Sequence, residues 1–154
     1  MDDIDRKICG LIQEDGRSTS AEIAERVGVS VSTAHDRVRR LVSNGTVLGF
    51  RAVLNSRAVG ADFCCFLFID MAYDGEQEAI ESLSKHPAVL ELHHISGPHS
   101  YLMKIRVPDA AAVQRFLQEV VKPLRAVQRT ETLFSLDVAK ETAVLNVAGD
   151  AASL

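Results

Sequence analysis

The stretch from Thr19 to Leu41 constrains the fold most, because it contains two helix starts separated by a glycine. Thr19 and Glu22 have capping-box spacing ahead of Ile23, Ala24 and Val27, so hydroxyl and acid can each satisfy an exposed amide. Gly28 supplies the backbone freedom to stop this helix, and Ser30 caps the next. There Ala34, Val38 and Leu41 form an apolar stripe closed by Asn44-Gly45. Upstream, Ile4, Ile8, Leu11 and Ile12 share one helical face and end before the turn-forming Asp15-Gly16. Two helices around a Gly-centred turn, the second of them basic, define a helix-turn-helix, whose second helix enters the DNA major groove.

A net charge of −4 opposes that reading only as a total, because the charge is unevenly spread. Residues 1–60 hold nine Lys and Arg against eight Asp and Glu, whereas residues 61–154 hold eight against thirteen. Within 31–57, Arg37, Arg39, Arg40, Arg51 and Arg57 are opposed by Asp36 alone. Such a concentrated positive stretch is the electrostatic footprint of a phosphate-binding surface. With Ala34, Val38 and Leu41 inward, Ser32, Thr33, Asp36, Arg39 and Arg40 face outward, and His35 and Arg37 lie on the flanks. Ser30 and the free amides behind it suit a phosphate, and arginines add bidentate contacts to guanine. The expected partner is double-stranded DNA, contacted by Ser30, Ser32, Thr33, His35, Asp36, Arg37, Arg39 and Arg40.

From Val47 the period becomes that of strands, with a strand expected over 47–54 and a linker running to Gly60. A second domain follows as strand 63–71, helix 76–85, strand 89–95, strand 101–107, a helix through Val113, Phe116, Leu117, Val120 and Val121, and strand 127–136. Gly97-Pro98-His99-Ser100 turns between the second and third strands. The order βαββαβ is ferredoxin-like, so the fold class is α+β: a winged-helix-like helix-turn-helix domain at 1–46, a linker strand and hinge at 47–60, a ferredoxin-like domain at 61–140 and a tail at 141–154. The Ala-rich end after Val144 carries no period and is expected to fray. The run Phe63 to Ile69 is apolar on both faces, whereas two helices cover only one face of such a sheet. Lys104 and Arg106 keep part of the other face polar, so a dimer seam centred on the first strand is expected.

The composition excludes several classes. With 47% hydrophobic and 25% charged residues the chain can build a core, and its longest apolar run is too short for a membrane span. The N-terminus is acidic, unlike a signal peptide, and Cys9, Cys64 and Cys65 make no disulfide framework, so the expected compartment is the cytoplasm. Neighbouring residues on a strand point to opposite faces, so neither His93 with His94 nor Cys64 with Cys65 can chelate one ion, and no metal is expected. No phosphate loop or nucleophile–base–acid set is fixed by the sequence, so neither a cofactor nor catalysis is expected.

The stretches Ile4-Asp5-Arg6-Lys7-Ile8, Glu14-Asp15-Gly16-Arg17, Glu22 through Ser30, Arg37-Val38-Arg39-Arg40-Leu41 with Gly45, and Ser96-Gly97 with Tyr101-Leu102 resemble the leucine-responsive and asparagine-responsive (Lrp/AsnC) transcription regulators. The resemblance spans nearly the whole chain. It implies a sequence-specific DNA-binding regulator whose ferredoxin-like domain pairs into homodimers that assemble to an octamer. It also implies an amino-acid or related effector bound between dimers near Gly97, Pro98, His99, Ser100 and Tyr101, with Thr130 and Thr132 of the last strand close by. The family's loop pattern resembles Gly-x-x-Asp, and Ser100 stands where the acid would take the effector's ammonium group. Two further readings fit the residues: a ligand-independent architectural DNA-binding protein, and a small-molecule-binding ferredoxin-like domain with a helical appendage.

Overall fold

The computed structural model describes residues 1–147 and forms two compact units, Met1–Val53 with the chain from Lys140, and Leu54–Ala139. In the first unit α1 (Asp3–Glu14), α2 (Ser20–Val27) and α3 (Val31–Ser43) pack around Ile8, Ile23, Ala24, Ala34 and Leu41. Each helix starts on a side-chain cap: Asp2 accepts from the Asp5 amide, Thr19 shares a complete capping box with Glu22, and Ser30 accepts from the Thr33 amide. Gly28 ends α2 in the left-handed region, at φ 75° and ψ 41°, where a side chain would be strained.

The second unit holds β1 (Phe63–Met71), α4 (Glu76–Lys85), β2 (Val89–His94), β3 (Tyr101–Val107), α5 (Ala110–Phe116) and β4 (Val127–Phe134). The strands form one antiparallel sheet in the order β2-β3-β1-β4, which is the ferredoxin-like arrangement. Leu67 lies opposite Met103 and Ile69 opposite Tyr101, so one sheet face carries Cys65, Leu67, Ile69, Met103 and Ile105 into a core closed by Leu83, Val113 and Phe116. The helix begun by α5 widens to a π-helical turn over Leu117–Val121, where the Lys122 amide donates to the Leu117 carbonyl, and Pro123 follows.

Among the described residues no helix covers the other face of the sheet. Phe66 and Phe68 of β1 lie there half-buried, beside Leu102 and Lys104 of β3 and the exposed Leu133 and Glu131 of β4. Lys104 pairs with Glu91 at 3.2 Å, and Arg106 donates to Ser56 Oγ and to the carbonyls of Ala61 and Asp62, drawing residues 56–62 onto the end of the sheet.

Two expectations are corrected. Residues 47–54 form no strand, because Leu48, Phe50, Val53 and Leu54 are exposed and no ladder partner reaches them within one chain. The tail does not fray directly after Val144. The Gln13 side-chain amide accepts from the Leu145 amide at 2.8 Å and donates to its carbonyl at 3.0 Å, and Val147 packs beside Gly10 on the first core. The unit boundaries differ accordingly: the first unit runs on to Val53, and the chain from Lys140 belongs with it. The expectation for residues 148–154 lies outside the described residues.

Candidate functional site

The basic helix α3 is oriented by its buried side. Ala34 is fully buried and, with Ile23 and Ala24, lets the two helices cross closely. At its N-terminus Ser30 Oγ lies 3.0 Å from Ser32 Oγ and 2.8 Å from Thr33 Oγ1, so three of the expected contact residues form one hydroxyl cluster at the positive end of the helix. His35, Asp36 and Arg39 are exposed, and among the described residues they form no hydrogen bond or ion pair.

Arg37 and Arg40 differ from the expected free, DNA-facing arginines. Arg37 Nη1 lies 2.6 Å from Asp2 Oδ2 and 2.9 Å from Asp5 Oδ1, and Arg40 Nη2 lies 2.9 Å from Asp5 Oδ2. Both guanidiniums fold back on α1 because Asp5 is buried, at 4% exposure, and a buried carboxylate needs paired charge. The two acids balance the two arginines, so Arg39 carries the undivided positive charge of this face. Arg40 remains exposed beyond its contact with Asp5. Arg37 also holds the Asp2 carboxyl below the usual carboxylate range. Asp2 and Asp5 were missed as site residues, although a signal exists: Asp5 shares the helical face of Ile8, Cys9 and Ile12, an acid where the stripe calls for an apolar residue.

In the second unit a partly open cavity of about 180 Å³ is lined by Met71, Tyr73, Glu76, His94 and Ser100. Glu76 opens α4, and Tyr101 OH donates to its Oε1 at 3.0 Å. Burial, reinforced by that carboxylate, raises the Tyr101 phenol above its ordinary value, so it acts as a donor that orients Glu76. His94 stacks on the Tyr101 ring with centroids 4.9 Å apart. Ser100 accepts from the Met71 amide through Oγ at 3.4 Å and donates its own amide to Asp70 Oδ1 at 3.3 Å.

The expected effector residues therefore separate. Ser100 lines the cavity. Gly97 and Pro98 form the exposed turn, with Gly97 at φ 124°, where glycine is favoured. His99 leaves the cavity and lies over Phe68, with Nδ1 3.2 Å from Asp70 Oδ1 and Nε2 3.8 Å from Glu131 Oε2. Tyr101 is buried and reaches the cavity's edge through Glu76. Thr130 and Thr132 lie opposite Ile69 and Leu67 on β4 and are not among the lining residues. Glu76 and His94 line it unforeseen. Among the described residues no three His, Cys, Asp or Glu side chains converge on a metal position, and no helix is long and apolar enough to cross a membrane.

Comparison with known proteins agrees with both units. Residues 1–47 match the winged helix-turn-helix DNA-binding model, and residues 64–145 match the Lrp/AsnC ligand binding domain. The chain is 35% identical to the proline dehydrogenase transcriptional activator of Rhizobium radiobacter, covering 94% of each chain. It is 34% identical to the leucine-responsive regulatory protein of Klebsiella pneumoniae, over 92% of this chain and 88% of that one. A transcriptional regulator of Neisseria meningitidis, solved as a complex with L-Met, superposes with a TM-score of 0.89 at 29% identity, covering 94% of this chain and 96% of that one. With its DNA-binding helices and its ferredoxin-like unit both matched, the chain belongs to the Lrp/AsnC family of transcriptional regulators.

Proposed function

We propose that this regulator is a cytoplasmic protein that binds double-stranded DNA sequence-specifically through α3 and responds to a free amino acid or a close relative of one. The observation that carries the DNA reading is the face of α3 that runs from its capped N-terminus, where Ser32, Thr33, Asp36 and Arg39 stand exposed. Short side chains and an arginine on one helical face suit base edges and phosphates in the major groove. In the effector unit, Glu76 takes the role that the family's loop acid would have had at Ser100. It faces the same cavity as Ser100, and its carboxylate is oriented by Tyr101. The ammonium group of an amino acid pairs with Glu76, and the loop around Ser100 meets the rest of the ligand.

The open sheet face, with Phe66 and Phe68 half-buried, supports a homodimer formed through β1, from which larger assemblies up to an octamer are built. Selection of bound fragments from genomic DNA tests the first part. A sequence preference that Arg39→Ala weakens supports it, and equal binding to all fragments favours an architectural protein. Gel filtration with and without pooled amino acids tests the second, since an effector seated between dimers changes the assembly state.

A further inference from the structure

Arg37 is shared by two carboxylates of different character. Asp5 is rooted in the core, with its side chain 5% exposed, whereas Asp2 sits outside with its side chain 52% exposed. Both approach the same nitrogen, Nη1, and Arg37 itself keeps 21% of its side chain exposed. Asp5 cannot leave without stranding a buried charge, while Asp2 can exchange with water or with another anion. A phosphate offers a guanidinium the same charged oxygen acceptors as a carboxylate, in the same bidentate geometry.

We propose that Asp2 is an internal stand-in for a DNA backbone phosphate: in the free protein it occupies the outer side of Arg37, and on binding a phosphate displaces it while Asp5 keeps the guanidinium in place. The first turn of α1 then restrains the affinity of α3 for any DNA, and part of the discrimination is left to the base-facing residues. This rests on the reading of α3 as the DNA helix.

Asp2→Asn makes a clean test, because asparagine caps a helix as well as aspartate does and the cap to the Asp5 amide is kept. With the whole chain and mixed-sequence duplex DNA at low salt, Asp2→Asn is expected to tighten binding about two- to fivefold per protomer, the worth of one exposed ion pair, while the fold loses no more stability than that pair contributes. Asp3 is the control for general charge, being nearby but paired with Arg6 rather than Arg37. Asp3→Asn should gain clearly less, and the Asp2→Asn gain should vanish in an Arg37→Ala background. An equal gain in Asp3→Asn, a gain that survives Arg37→Ala, or no gain overturns the proposal. Arg39→Ala separates the failures: weakened DNA binding there with no gain in Asp2→Asn sinks the proposal alone, whereas unchanged binding sinks the α3 reading and the proposal with it.

Discussion

The His99 ring stacks on Phe68, with centroids 4.7 Å apart and planes 24° from parallel. One residue of the Gly97–Ser100 turn is thereby pinned to the uncovered face of the sheet, and its neighbour Ser100 lines the cavity. Asp70 reinforces the link, since it accepts from the Ser100 amide and lies beside His99 Nδ1. Whatever covers Phe68 must accommodate or move His99, which gives assembly at the sheet a direct mechanical route to the turn.

His99→Ala removes that pin. A stacked ring pair contributes about 0.5–1.5 kcal/mol beyond its buried area, so a stability loss of that size is expected in urea unfolding. Amide exchange of Gly97 to Ser100 should quicken more than that of β3. Uniform quickening across the sheet would mean that His99 is only a general packing residue.

Dimer formation is open to a direct test on the same face. Phe66→Glu sets a charge at the centre of the expected seam, on a strand whose other face is already filled by the core. Light scattering should report a mass above 16.8 kDa for the wild type at micromolar concentration and a shift toward that mass for the variant. A wild-type mass of 16.8 kDa would remove the seam from consideration.

Asp5 anchors Arg37 and Arg40 of α3 to α1, so its removal leaves Arg37 with Asp2 alone and Arg40 to solvent. A hydrogen bond to a charged group contributes about 1.5–3 kcal/mol, and Asp5→Ala should lose stability of that order in urea unfolding. Asp2→Asn should lose far less, because its pair with Arg37 faces water. Equal losses would contradict the different burial of the two acids.

The helices, their caps and the sheet order were legible because they depend on local signals. The capping box at Thr19 and Glu22, the stop at Gly28 and the alternation of Leu67 and Ile69 act within a few residues. What was not legible depends on approach in space. The pairing of Arg37 and Arg40 with Asp5 joins residues more than thirty positions apart. Likewise, Glu76 enters the cavity only because α4 begins beside the start of β3, which no spacing in the chain reveals. The missing strand at 47–54 has a different reason: its alternation fits a strand, but a strand is a pairing and one chain supplies no partner.

Cys65 offers a check on the core by pH. Burial, aided by the neighbouring Cys64, pushes its thiol up from 9.0 to about 11. The folded state therefore favours the protonated thiol. Its contribution to stability is present below pH 9.0 and is lost as pH rises toward about 11. The urea midpoint should fall between about pH 9 and about pH 11 more steeply in the wild type than in Cys65→Ala. Parallel curves would mean that Cys65 is hydrated.

The cavity lined by Glu76 and Ser100 gives the sharpest division between readings. If Glu76 holds the ammonium group, the wild type binds ordinary amino acids although Ser100 replaces the family's acid. Glu76→Gln keeps the size and the contact with Tyr101 but removes the charge. A hydrogen bond to a charged group contributes about 1.5–3 kcal/mol, so affinity measured by calorimetry should fall by one to two orders of magnitude. Ser100→Asp should bring no gain, because a second carboxylate beside Glu76 repels it and disturbs the Ser100 contact with the Met71 amide. Tyr101→Phe should weaken binding less than Glu76→Gln does, since it frees the carboxylate without removing it. If instead the wild type binds no amino acid and Ser100→Asp creates binding, the ammonium is recognised from the loop, and Glu76 serves only to satisfy the Tyr101 hydroxyl.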